Sequence, residues 1–139
     1  MDSRRWFGLV ALLSLTLAAC APGGASSGGS GAARSQTVDG VTFTITVTPD
    51  PIQSREPATI HVRLADATGQ PIDWGRVVVS LDSRAHAMAP NVAAAEPKGN
   101  GAYQATVKPA GMTGAHTLTI DLQWQATSYR ATFGGFDVR

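Results

Sequence analysis

The chain has 139 residues, 11 Lys and Arg against 10 Asp and Glu, 43% hydrophobic residues and a single cysteine. That length allows one domain. The near-neutral charge, with no basic stretch carrying interleaved aromatics, argues against nucleic acid as a partner, and one cysteine excludes an internal disulfide.

Arg4 and Arg5 precede an almost unbroken apolar run from Trp6 to Ala19. As a helix this run reaches about 21 Å, short of a roughly 30 Å hydrocarbon core. A charged start, a short apolar run and small residues before a cut predict a signal peptide over residues 1–19. Leu17-Ala18-Ala19-Cys20 resembles a bacterial lipoprotein cleavage box. That resemblance implies that Cys20 carries lipid, becomes the mature N-terminus and holds the protein to a membrane outside the cytoplasm. Ala21 after it resembles a signal for sorting to an outer membrane. Ser3-Arg4-Arg5-Trp6-Phe7-Gly8-Leu9 also resembles a twin-arginine export signal, a route that carries folded cargo. From Cys20 onward, without Arg4, Arg5 and Asp2, nine basic side chains balance nine acidic ones.

Residues 20–36 are rich in Gly, Ser and Ala, bury too little to fold and are expected to form a flexible tether. The folded domain is expected over 37–139. Val41, Phe43, Ile45 and Val47 alternate with threonines, which predicts a half-buried strand. Ile60, Val62 and Leu64 alternate with His61 and Arg63 in a second, leaving His61 on the surface. Asp66 to Pro71 is a turn cluster. Val77, Val79 and Leu81 mark a third strand, and short helical or irregular turns are expected from Met88 to Glu96, where alternation fades. Gly99-Asn100-Gly101 predicts a tight turn into Tyr103, Ala105 and Val107. His116, Leu118, Ile120, Leu122 and Trp124 share one phase of the next strand, so Trp124 is expected in the core. The last strand carries Tyr129, Ala131 and Phe133, with a bulge at Gly134-Gly135 before Phe136 and Val138. About seven strands and no helical periodicity outside the apolar start predict an all-β, immunoglobulin-like antiparallel β-sandwich. Trp74 is then expected to pack across the sheets or to join Trp124 in an exposed aromatic patch.

Leu64-x-Asp66-x-x-Gly69-x-Pro71-Ile72, Val77-x-Val79, His86-x-Met88, Glu96-Pro97-x-x-x-Gly101-x-Tyr103, and Met112-x-Gly114 before Leu118-x-Ile120 resemble the YtkA-like/FixH-like domain. The resemblance covers about residues 40–139. It implies a small extracytoplasmic or membrane-anchored sandwich, in a group some of whose members are associated with copper handling or cytochrome oxidase assembly. His116 stands where the family's usual aromatic is expected, which either removes a core ring or adds a ligand.

The residues themselves point to one candidate site. His86 and Met88 are two apart, so an extended backbone aims both the same way. Met112 sits in the Pro109-Ala110-Gly111-Met112 loop that opens the strand bearing His116. If that loop lies beside 86–88, four donors converge at one end of the sandwich. Imidazole with thioether suits copper, Cu(I) above all, and the set holds no carboxylate that would favour a hard ion. The plainer reading is that His116 is a core or rim histidine bonded to backbone, that Met112 plugs the core, and that His86 and Met88, in phase with Asp82 and Arg84, face solvent.

There is no Gly-x-Ser-x-Gly elbow, His-Glu-x-x-His, Walker loop or dinucleotide fingerprint, so no enzyme is expected. Two functions follow: copper binding or delivery to a cuproenzyme or other envelope protein through His86, Met88, Met112 and His116, or a metal-free module that docks through sheet edges or end loops.

Overall fold

The computed structural model describes residues 29–85, 89–111 and 113–139. The predicted signal peptide, Cys20, His86, Met88 and Met112 lie outside them. The described residues contain no helix and nine strands: β1 (Arg34–Val38), β2 (Val41–Thr48), β3 (Ala58–Ala65), β4 (Arg76–Ser83), β5 (Asn91–Ala94), β6 (Glu96–Gly99), β7 (Ala102–Val107), β8 (Gly114–Trp124) and β9 (Thr127–Val138). They form two antiparallel sheets, β1-β2-β3-β7-β6 and β5-β4-β8-β9, stacked as an immunoglobulin-like sandwich. Alternation drives the stacking. Phe43, Ile45, Val47, Ile60, Val62 and Leu64 face Val77, Val79, Leu81, Leu118, Ile120 and Leu122 across one dry layer. Among the described residues, every buried core residue lies between Val41 and Val138, so residues 29–139 contain this core cluster.

The structure departs from the sequence expectations in the strand count and in two segments. β1 begins at Arg34, within the stretch assigned to the tether, and pairs with β2 through an Asp39-Gly40 turn in which both residues have positive φ. This is the turn that joins tightly twisted hairpin strands. The segment from Met88 to Glu96, expected to be helical or irregular, holds β5 and the start of β6. Its alternation fades because it changes sheets: Val92 pairs with Ser80 of β4 and Glu96 with Gln104 of β7. Both additions come from short edge strands with few buried side chains, where periodicity carries little signal. The bulge at Gly134-Gly135 forms as predicted. His116 pairs with Phe136 and Leu118 with Phe133, so one extra residue of β9 fits between them and both phenylalanines turn inward.

Register defines two ends. At one lie Arg34, Thr48, Ala58, Val107, Ser83, His116 and Val138, tied together by the pairs Thr48–Thr59, Ala58–Val107, Ser83–His116 and the Ile52–Val138 bridge. At the other lie the turns at Asp39-Gly40, Asp66–Gln70 and Gly99–Gly101, together with Trp74 and Trp124. The candidate residue and the exposed tryptophans therefore occupy opposite ends.

Candidate metal site and its surroundings

His116 is 4% exposed and is the one buried polar residue among the described residues of the core. Its phase on β8 points it inward with Leu118 and Ile120, beyond the last apolar layer. Nδ1 lies 2.9 Å from the carbonyl oxygen of Gly114. A carbonyl only accepts, so Nδ1 carries the proton of this bond, which in the neutral tautomer leaves the lone pair on Nε2. A backbone carbonyl that holds one ring nitrogen in this way is the usual means of orienting a metal-binding histidine.

His116 lines a recess of about 40 Å³ with Leu81, Asp82, Ser83, Ala89, Asn91, Pro109 and Ala110. That is room for a water or an ion. Each side of the recess is fixed from a different element. Ser83 is paired with His116 across β4 and β8 and follows Leu81 on the inward phase. Its Oγ is buried with no hydrogen-bond partner among the described residues, a condition that marks a place for a polar guest. Asn91 holds the opposite wall: Nδ2 donates to Lys108 O (2.5 Å) and Oδ1 accepts from Lys108 N–H (3.4 Å). This pair clamps the Pro109-Ala110 loop beside β5. Arg84 N–H donates to Ala115 O (3.1 Å), keeping the exit from β4 against the start of β8.

Of the four donors read from the sequence, only His116 lies among the described residues. The chain on both sides of the other three borders the same recess. Ser83 and Ala89 flank 86–88, and Ala110 and His116 flank 112. Among the described residues no three His, Cys, Asp or Glu side chains cluster, so a full shell depends on His86, Met88 and Met112. Asp82 also borders the recess. It falls on the outward phase of β4 and is exposed, so the inward-facing polar side chains of the recess are His116, Ser83 and Asn91. Ser83 and Asn91 were missed in the sequence. Ser83 was legible as the next inward position after Val77, Val79 and Leu81, whereas the reach of Asn91 to Lys108 depends on tertiary structure.

The motif that carries the family resemblance builds the other end. Gly101 N–H donates to Asp73 Oδ1 (2.6 Å), Tyr103 OH donates to Ile72 O (3.0 Å), and Ile72 N–H donates to Leu64 O (3.0 Å). Gly101 has φ +72, and a Cβ there would stand 2.5 Å from Leu64 O. Burial, and then the nearby Asp73 charge, raise the Tyr103 phenol above its ordinary range, so it stays a donor. The Asp66 carboxylate accepts from Thr68 Oγ1 (2.7 Å), Thr68 N–H (2.8 Å) and Gln70 N–H (3.0 Å). These bonds, the Thr68 hydroxyl first, hold its pKa below the ordinary aspartate value.

Trp124 corrects the expectation of a core residue, and Trp74 takes the second of its two expected places, beside Trp124 in an exposed aromatic pair. Trp124 is 43% exposed instead of buried, and Trp74 is 39% exposed instead of packed between the sheets. Trp124 shares the inward phase of Leu122 but lies past the edge of the core, with no opposing strand to cover it. Trp74 meets it instead, with ring centroids 5.2 Å apart and planes tilted by 54°. Gly75 allows that approach, since a Cβ would stand 2.8 Å from Gln123 O. His61 is exposed, as expected.

The chain matches the family model described as YtkA-like over residues 35–121, more than half its length. No curated protein and no solved structure matches it.

Proposed function

The chain belongs to the YtkA-like family, and from that premise we propose that it binds and delivers copper as an extracytoplasmic, membrane-anchored lipoprotein. Cys20 carries the lipid, residues after it form the tether, and His116 with His86, Met88 and Met112 holds the ion. One observation supports this reading above the others. His116 is inward and buried, its Nδ1 is occupied by Gly114 O, and it borders a recess walled by the chain on either side of the other three donors. Imidazole and thioether together select Cu(I) over hard ions. An open, mixed shell exchanges its cargo with a cuproenzyme client, such as an oxidase under assembly, more readily than a closed thiolate cage does.

The test is an anaerobic Cu(I) titration of residues 29–139 against a chromophoric competitor. One-to-one binding that weakens about tenfold or more in His86→Ala and Met88→Ala variants supports the proposal. Equal affinity in parent and variants rejects it. Lipid on Cys20 is tested separately: fatty-acid label should enter the full chain in bacteria and be absent from Cys20→Ser.

The exposed Trp74–Trp124 pair favours a second reading, a metal-free docking module that uses the end opposite His116. Aromatic pairs of this kind are enriched where proteins meet. Failure of the copper titration leaves this reading in place.

A further inference from the structure

Residues 29–31 are fixed to the sandwich at its His116 end. Gly31 N–H donates to Val47 O (2.8 Å), Asp50 N–H donates to Gly29 O (3.0 Å), and the Ser30 and Thr48 hydroxyls lie 3.0 Å apart. These bonds carry the pairing of β1 with β2 past Arg34 as far as Asp50. Gly31 passes so close to the Asp50 carboxylate that a Cβ there would collide with it. Two residues on, Ile52 bridges Val138, and Val138 pairs with Gly114, two residues before His116. The point where the chain leaves the fold toward Cys20 and the recess beside His116 therefore share one end.

Nine residue steps separate Cys20 from Gly29. At the full reach of a polypeptide they span about 32 Å. The opposite end is further off by the length of a strand. His116 and Trp124 are eight positions apart on β8, which is about 27 Å. The connection is thus about as long as the sandwich is tall. It keeps the His116 end near the anchor and lets the Trp74–Trp124 end stand further out, without fixing a single angle.

We infer that the His116 end is the face this domain presents to the bilayer, and that the recess serves a partner embedded in the same membrane, with its metal-accepting groups at the bilayer surface. The inference rests on the proposed lipid at Cys20 and, for the cargo, on the proposed copper site. An anchor of this length holds the recess at a high effective concentration toward groups at the surface of its own membrane. A partner that diffuses freely outside the membrane gains nothing from it. The Trp74–Trp124 pair then stands on the side away from the bilayer.

The experiment couples residues 20–139 through Cys20, the one thiol of the chain, to a maleimide lipid in phosphatidylcholine nanodiscs that carry gadolinium-chelate headgroups. Relaxation of the amide protons by NMR then reports nearness to the bilayer. Amides of Asp50, Ser83 and Gly114 should relax several-fold faster than those of Gly40, Gly69 and Gln125. Coupling through Ala126→Cys in a Cys20→Ser background, at the exposed β8–β9 turn beside Trp124, should reverse the gradient. With Cu(I) loaded, transfer to a Cu(I) chelator borne on a lipid of the same disc should be several-fold faster from the Cys20-coupled domain than from the one coupled through Ala126→Cys. Equal relaxation at the two ends, a gradient that does not reverse, or equal transfer overturns the inference. The chemical coupling stands in for the natural lipid and the relaxation needs no copper, so failure here is distinct from failure of the fatty-acid labelling or of the Cu(I) titration.

Discussion

The two ends of the sandwich do opposite work with similar materials. At the far end, Gly101, Tyr103, Asp73 and Ile72 are bonded to one another, and none of their buried side-chain polar atoms lacks a partner. At the His116 end, Ser83 Oγ has no partner among the described residues, and Nε2 of His116 is the ring nitrogen that Gly114 does not occupy. The first arrangement ties the fold together, and the second, among the described residues, leaves a polar atom unpaired beside a recess. Motif residues shared with a family can therefore be structural.

That contrast can be broken by substitution. The largest effect is expected at Gly101→Val, where a positive φ and contact with Leu64 O should cost about 3 kcal/mol or more in urea unfolding. Next is His116→Leu. It keeps an inward side chain of similar size, so stability should change by less than about 1.5 kcal/mol, while Cu(I) affinity should fall about tenfold or more. A stability loss matching that of Gly101→Val would mean that the two ends do not differ. Tyr103→Phe removes the bond to Ile72 O, leaves the ring, and should cost about 1 kcal/mol with copper affinity unchanged.

The smallest effect is a pH dependence at Asp66. Its folded pKa lies below the unfolded value, so its contribution is present above the ordinary aspartate pKa and is lost as pH falls through the lowered one. Asp66→Asn should flatten the acid side of the stability profile slightly and leave the neutral side nearly unchanged. An unaltered acid limb would show that the turn bonds stabilise nothing.

The fold was legible because its inner strands alternate without interruption. Val41 to Val47, Ile60 to Leu64 and Leu118 to Leu122 announce their faces, and Gly134-Gly135 announces the bulge. The edges were less so. β1 hides in a polar run, although Asp39-Gly40 is a hairpin signal in plain view, and β5 is too short and too rich in alanine to show a period. Trp124 misled because phase tells which face a residue takes, not whether anything lies opposite. At the site, the inward phase of His116 was legible, but its bond to Gly114 and the clamp of Asn91 on Lys108 arise only when separate strands meet.

The most direct test of the central claim is nitrogen-15 NMR of the His116 ring, before and after one equivalent of Cu(I). The account predicts the Nδ1–H tautomer in the metal-free protein and a large shift confined to Nε2 when the ion is added. A proton on Nε2 at the outset, with neither ring nitrogen moving on addition of copper, would contradict it.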